Sequence, residues 1–187
     1  MLALTPVVVP LATALVCALL SARARAQLVV STTGALVNVV CASLLIAQVQ
    51  RIGTVSVAVG NWPLPMGIEF LADRLGAVLV LIAAVMLSIT VLWQRSDVDP
   101  APATPALHPL LHGLTAGVGG AFVTADLFNL YVWFEVALIC SLGLLVQGGA
   151  LRNLDATFKY FAINVLGTLL LLVAISLIYA ATGQLNM

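Results

Sequence analysis

Residues 124–146 read TADLFNLYVWFEVALICSLGLLV, an apolar run with one carboxylate deep inside it, Glu135. Counted from Asp126, Glu135 lies nine residues in, or roughly 13 Å at helical rise; counted back from Gln147 it lies twelve residues in, or roughly 18 Å. That places the carboxylate near the middle of a bilayer. An acid there costs on the order of a few kcal/mol unless it is paired, hydrated or protonated. Such a group suits a carrier of protons or cations, because burial makes its protonation switchable. The alternative is a protonated Glu that hydrogen-bonds a neighbouring helix. No Lys, Arg or His lies mid-span, and Lys159 at the cytoplasmic end of the last span is too shallow to pair with Glu135 directly. Either water solvates the carboxylate or its partner lies beyond this sequence.

The other candidates for chemistry sit nearer span ends. His108 and His112 are four apart, so they share a helix face, and Pro109 between them suits a first helical position. A two-His metal site needs further ligands and none is evident nearby, so no metal is expected. The pair reads either as interfacial or as a group admitting protons at the cytoplasmic mouth, since His titrates near neutral pH. Asp126 and Asn129 cluster at the outer end of the same apolar run as Glu135. Asp126 could cap a helix start or serve transport, and the sequence leaves both open. Lys159 with Tyr160 reads as an inside-face anchor, with an auxiliary place in a proton path as the functional alternative. Gly113, Gly117 and Gly119-Gly120 read as close helix packing. Glu69, Asp73 and Arg74 read as surface or interface charge pairs. Cys17, Cys41 and Cys140 each lie in an apolar run without a CxxC and read as small buried hydrophobes. There is no phosphate-binding glycine loop, no metal-ligand spacing and no nucleophile beside a base. The expectation is a protein with no redox cofactor, and a transporter subunit rather than an enzyme.

These residues need elements to hold them, and composition says what kind. Of 187 residues, 63% are apolar and only 7% are charged, with seven bases against seven acids. A soluble protein of this size could not hide so many apolar side chains, so a disordered chain, a secreted disulfide scaffold and an ordinary soluble enzyme are excluded. A zero net charge offers no basic field for nucleic acid. The natural solvent is a bilayer.

A spanning helix needs about 20 apolar residues. Leu2–Leu20 is the first span, retained rather than cleaved because Arg23 and Arg25 follow the apolar stretch instead of preceding it. Pro6 and Pro10 shape its first turns. Leu28–Gln48 is the second span; Ser31, Thr32, Thr33 and Asn38 dilute it, so one side should face protein. Val49–Arg74 reads as a short strand pair or turn-rich loop on the membrane face, with Gly60-Asn61-Trp62-Pro63 and Pro65-Met66-Gly67 as its turns. Leu75–Trp93 is the third span, and Arg95–Ala106 is a polar linker with Asp97, Asp99, Pro100, Pro102 and Pro105. Residues 107–146 would make a single helix roughly 60 Å long, twice the hydrocarbon thickness, so they must fold back as two spans. These are Leu107–Thr124 and Leu127–Val146, with the turn between Gly119-Gly120 and Asp126. Gln147–Lys159 reads as a polar loop, Tyr160–Tyr179 as the sixth span and Ala180–Met187 as a short polar tail. With the N-terminus outside, the inner loops hold Arg23, Arg25, Arg95, Arg152 and Lys159, and the outer ones only Arg51 and Arg74, the bias the positive-inside rule favours.

Several segments carry a resemblance. Residues 124–146, with GNWPLPMGIEFLADRLGAVLVL (60–81), HPLLHGLTAGVGGAF (108–122) and FKYFAINVLGTLLLLVAISLIYAATGQLNM (158–187), resemble the antiporter-like membrane subunits shared by respiratory complex I and Mrp-type cation/proton antiporters. The wording DLFNLYVWFE is nearer the D subunit of the Mrp type. The resemblance covers nearly the whole chain. It implies an all-α polytopic membrane protein whose six spans are the N-terminal part of a fourteen-helix fold. Residues 1–106 would be spans one to three with the external loop 49–74, and residues 107–187 the incomplete start of a proton-translocating repeat. It further implies that Glu135 is the family's fifth-span Glu, which works with a Lys in the seventh span and later basic residues. Those positions do not occur here, so the expectation is a fragment or one piece of a split gene.

The functions in play are therefore three. The first is a subunit of a hetero-oligomeric Na⁺/H⁺ antiporter in a bacterial inner membrane, with other subunits, H⁺, Na⁺ and lipid as its partners. The second is a proton-pumping membrane subunit of an NADH:quinone oxidoreductase or a membrane-bound hydrogenase. The third is a structural membrane module with no ion path.

Overall fold

The computed structural model describes residues 1–59, 67–96, 104–147 and 151–187. The turn residues Gly60–Met66, the linker residues Asp97, Asp99, Pro100 and Pro102, and residues 148–150 lie outside the described residues, as do the side chains of Arg95 and Arg152. One 3₁₀ turn, Leu2–Leu4, leads into α1 (Thr5–Leu19), followed by α2 (Ala24–Ile52), strands β1 (Val55–Val59) and β2 (Ile68–Ala72), α3 (Arg74–Ser96), α4 (Leu107–Val123), α5 (Leu127–Val146) and α6 (Leu151–Thr182). Five of these helices are long and apolar enough to cross a membrane. The sixth, α4, has 17 residues, or roughly 25 Å at helical rise, and lies at the short end of the spanning range.

The expected strand pair is present. β1 and β2 are antiparallel, with Val55 opposite Ala72, Val57 opposite Phe70 and Val59 opposite Ile68. Gly53, at a φ of 86° open to glycine but strained for other residues, ends α2 and turns the chain into β1. Val55, Phe70 and Ala72 point inward and join Ala3, Val7, Leu45, Val49, Ala77 and Val123 in one apolar cluster that closes this end of the bundle. The backbone N–H of Ala125 donates to the Glu69 carbonyl at 3.0 Å, and that of Met187 donates to the Ala125 carbonyl at 2.9 Å. The N-terminus, the hairpin, the α4–α5 turn and the C-terminus therefore gather at one end, as six antiparallel crossings require.

The chain breaks between α4 and α5 at Thr124–Asp126, within the interval the length argument allows. The expected loop Gln147–Lys159 is corrected: α6 begins at Leu151 and carries most of that stretch as helix. Its residues are polar, but polarity marks where hydrocarbon ends and not where a helix must end. The Lys159 ammonium and the Asp155 carboxylate, one turn apart, form an ion pair at 2.7 Å that supports this exposed turn. The charge pairing expected at the hairpin is corrected too. Asp73 instead caps α3, its carboxylate accepting from the Gly76 N–H at 2.7 Å.

Helix α4 is the hub. It packs on α1, α3 and α5, while α6 rests on α5. Its glycines make this possible. A β-carbon at Gly119 would stand 2.8 Å from the Pro6 carbonyl oxygen of α1, one at Gly113 would stand 2.7 Å from Cys140 Sγ, and one at Gly117 would stand 2.8 Å from the Ala137 nitrogen. Gly120 likewise leaves room for the Trp133 ring. On α2, Ser31, Thr32 and Asn38 are buried and Thr33 is exposed, so one side does face protein.

Candidate functional site

Three features of the sequence fix where Glu135 sits. The first is the start of α5. Asp126 accepts a hydrogen bond from the Asn129 N–H at 2.6 Å, and Asn129 Nδ2 donates to Thr124 Oγ1 at 2.8 Å, all three residues being buried. Asp126 is thus the N-cap, and Asn129 ties it to the end of α4. With α5 starting at Leu127, Glu135 is eight residues in, roughly 12 Å from the helix start.

The second is the face on which α5 meets α4. Trp133, Ala137 and Cys140 stand over the α4 glycines. At 3.6 residues per turn, Glu135 lies roughly 140–160° round the helix from them. Its neighbours on the flank turned away from α4 are Phe128, Val132, Ile139 and Val146, all exposed. Glu135 itself is half-buried. The third is Tyr131, one turn earlier, which brings its hydroxyl into interacting range of the Glu135 carboxylate. Its spacing of four was the available signal, and sequence reasoning passed over it. Among the described residues the one ion pair is that of Lys159 with Asp155, so Glu135 has no basic partner within them.

The remaining candidates are not gathered around Glu135. Lys159 stands at the opposite end of the bundle from the hairpin, 70% exposed and held by Asp155. His112 is fully buried, not interfacial, and it faces α2: its Nε2 lies 3.0 Å from Ser31 Oγ and 3.2 Å from the Ser31 carbonyl. A carbonyl can only accept, so Nε2 carries the hydrogen and Nδ1 keeps a lone pair, which has no protein partner among the described residues. His108, half-buried one turn earlier, also has an unpartnered Nδ1. Gln27 Nε2 donates to the carbonyls of Cys17 and Pro105, each at 2.8 Å, and so ties the ends of α1, α2 and α4 together. Neither Gln27 nor the Ser31–His112 contact was legible, because each depends on which helices become neighbours. No group of three His, Cys, Asp or Glu side chains able to hold a metal occurs among the described residues.

The known proteins that this chain is similar to bear on both fold and site. Residues 124–187, which contain α5 and α6, match the family described as NADH:quinone oxidoreductase/Mrp antiporter, transmembrane region. The chain is 32% identical to the D subunit of a Na⁺/H⁺ antiporter from Bacillus subtilis over 182 residues, 97% of this chain and 37% of that protein. It is 36% identical to the protein of the same name from Alkalihalophilus pseudofirmus, covering 82% of this chain and 31% of the relative. With the D subunit of a probable K⁺/H⁺ antiporter from Rhizobium meliloti the identity is 33%, covering all of this chain and 35% of the relative. The chain thus spans about a third of the length of these relatives. Among solved structures, a chain of the Mrp complex from Dietzia superposes with a TM-score of 0.89 at 28% identity, over 99% of this chain and 35% of that one. A chain of an archaeal membrane-bound sulfane sulfur reductase superposes with a TM-score of 0.90 at 26% identity, over 98% and 38%.

Six apolar helices, a capping hairpin and a mid-depth acid on the fifth helix define a multi-pass membrane protein with part of an antiporter-like bundle. Within that class, the chain belongs to the family of antiporter-like membrane subunits shared by complex I and Mrp antiporters, and the relatives named above are D subunits of Na⁺/H⁺ or K⁺/H⁺ antiporters.

Proposed function

We propose that this chain forms the Glu135-bearing part of a D-type membrane subunit in a multisubunit Na⁺/H⁺ antiporter of a bacterial inner membrane, and that Glu135 takes up and releases the translocated proton. One observation carries the reading: a capped, glycine-packed α5 presents its single acid at mid-depth, half-buried, on the flank turned away from α4 among the described residues. A carboxylate in that position is switchable when a mobile cation approaches and withdraws on the open side. The basic residue that does so comes from outside these 187 residues, since every Lys and Arg here lies at a span end. Asp126 and Asn129 act by setting the depth of Glu135. Lys159 anchors the inner face, and His108 and His112 border the inner end of α4. The positive-inside bias supports an external N-terminus.

The test is Glu135→Gln in the intact antiporter assembly, expressed in a salt-sensitive host. Na⁺ tolerance and ΔpH-linked Na⁺ uptake by everted vesicles should both be lost while the assembly remains intact on a native gel. A Gln variant that supports full Na⁺ tolerance overturns the proposal and favours a structural module. Because the fold also superposes on a chain of an archaeal respiratory complex, the proton-pumping reading is the second one. Small Mrp-type genes beside this one support the antiporter; genes for iron–sulfur subunits support the pump.

A further inference from the structure

Resting on the external N-terminus, which puts the α1–α2 turn at the inner face, the geometry points to a site for one anionic phospholipid, with its phosphate at Arg23 and Arg25 and an acyl chain in the groove between α1 and α2. The groove is a cavity of about 380 Å³ whose lining includes Val8, Ala12, Val16, Val30, Thr33 and Val37. All of these but Val30 are exposed, so the groove opens to lipid. Its floor is the close approach of the two helices: Thr13 is buried, and a β-carbon at Gly34 would overlap the Thr13 side chain. Both hydroxyls of the lining are spent within their own helices. Thr13 Oγ1 donates to the Val9 carbonyl at 2.8 Å, and Thr33 Oγ1 lies 3.0 Å from the carbonyls of Val29 and Val30. The lining is therefore apolar in effect, as a hydrocarbon chain requires.

Positive charge stands at the mouth of this groove. Arg23, Ala26, Val30, Thr33 and Val37 follow one another at steps of three, four, three and four, so Arg23 is on the groove side of α2. Arg25 is two residues on, and both arginines are exposed, with no ion pair among the described residues. No Asp or Glu occurs in residues 1–68. Of the acids on the inner side, Asp155 is held by Lys159, and Asp97 and Asp99 lie outside the described residues. The backbone acts in the same sense. Helix α2 starts with Arg23 at the N-cap and no side chain accepting from its first turn. At the end of α1, by contrast, the carbonyls of Val16, Ala18 and Leu20 accept from backbone N–H groups of the turn, and that of Cys17 accepts from Gln27 Nε2. What the turn offers is N–H donors beside two guanidiniums, a setting that favours an anion. The lengths agree with a single lipid. From Arg23 to Val37 is fourteen residues, or roughly 21 Å at helical rise, against about 15 Å of hydrocarbon and about 5–8 Å of headgroup in one leaflet. A headgroup of net negative charge suits the two arginines better than a zwitterion, whose ammonium would be left facing them.

The test places the intact antiporter in vesicles of phosphatidylethanolamine with a trace of phosphatidylglycerol bearing a photoactivatable acyl chain. The same label on phosphatidylethanolamine is the reference, and adducts are mapped by peptide mass spectrometry. Residues 8–16 and 30–37 should take the phosphatidylglycerol label at least about fivefold over the reference. Arg23→Gln combined with Arg25→Gln should abolish that preference. Arg23→Lys combined with Arg25→Lys should keep most of it, which separates loss of charge from faulty insertion. Ala12→Phe fills the groove from a lipid-facing position and should cut the phosphatidylglycerol adducts at 30–37 at least about fivefold in an assembly that still purifies whole. Equal labelling by the two lipids overturns the site. So does a preference that survives the double Gln variant, and so does a groove that takes no label because a helix of another subunit covers it. The labelling is read equally well in a Glu135→Gln assembly, so the site stands or falls apart from the carrier role.

Discussion

Replacing Gly117 with Ala tests whether the close approach of α4 and α5 holds Glu135 in place. A β-carbon at Gly117 would stand 2.8 Å from the Ala137 nitrogen and 3.0 Å from its Cα and Cβ. Ordinary carbon contacts need about 3.5–4.0 Å, so α5 must retreat by about 0.5–1 Å. The obstacle is backbone and cannot rotate aside. Gly167→Ala is the natural reference, because it meets nothing within 4 Å. Ala favours a helix over Gly by about 1 kcal/mol in both variants, so this gain cancels in the comparison. What remains is the collision, worth about 1–3 kcal/mol. Gly143→Ala should fall between them, since its β-carbon first meets the Leu110 side chain, its terminal methyls at 2.8 and 2.9 Å, which can turn away. The assay is the detergent- or heat-unfolding midpoint of the purified assembly, with Gly117→Ala lowest, Gly143→Ala intermediate and Gly167→Ala highest. A second readout is transport. A shift of about 1 Å in the position of a reacting group can cost up to about a hundredfold in rate, so Gly117→Ala should lose transport even where it still assembles. Coincident midpoints for Gly117→Ala and Gly167→Ala would refute the idea that these glycines set the helix separation.

Two further outcomes follow from the hydrogen bonds. Asp126→Ala removes the 2.6 Å cap on α5 and should cost about 1 kcal/mol, whereas Asp126→Asn, which keeps an acceptor, should stay within a few tenths of wild type by the same midpoint. His112→Phe keeps a ring in the buried slot but breaks both contacts to Ser31, so it should cost about 1–3 kcal/mol, against about 0.5–1.5 kcal/mol for Ser31→Ala, which spares the carbonyl bond; the reverse order would show that the ring is held by packing alone.

How much could be read in advance depended on whether a physical limit was local. The break between α4 and α5 was legible because a helix twice the thickness of hydrocarbon is untenable, and the hairpin because Val residues alternate before a Pro- and Gly-rich turn. The packing role of Gly113 and Gly117 was legible from their spacing. The stretch Gln147–Lys159 was not, since composition reports where the membrane stops while α6 continues beyond it. That error hid a polar face of α6: with 151–159 taken as loop, Asn153 and Thr157 could not be placed on the same face as Asn164 and Thr168. The Ser31–His112 contact stayed hidden for another reason. Eighty-one positions separate the two residues, and only the packing of α4 across α2 brings them together.

The distribution of burial explains why Glu135 can be both well placed and available. A third or more of each span in α1–α3 is buried, against 11% for α5 and 6% for α6. The hairpin and the first three helices therefore act as a buttress behind α4, and α4 in turn fixes α5 through backbone-close contacts that permit little sliding. All of this restraint reaches α5 from one side. On the other side the helix shows Phe128, Val132, Glu135, Ile139 and Val146, with the Tyr131 hydroxyl in range of the carboxylate. A carboxylate enclosed on all sides would need a fixed partner or would stay protonated. One held rigidly from behind and left open in front can be paired, released and rehydrated in turn, provided that water reaches its depth.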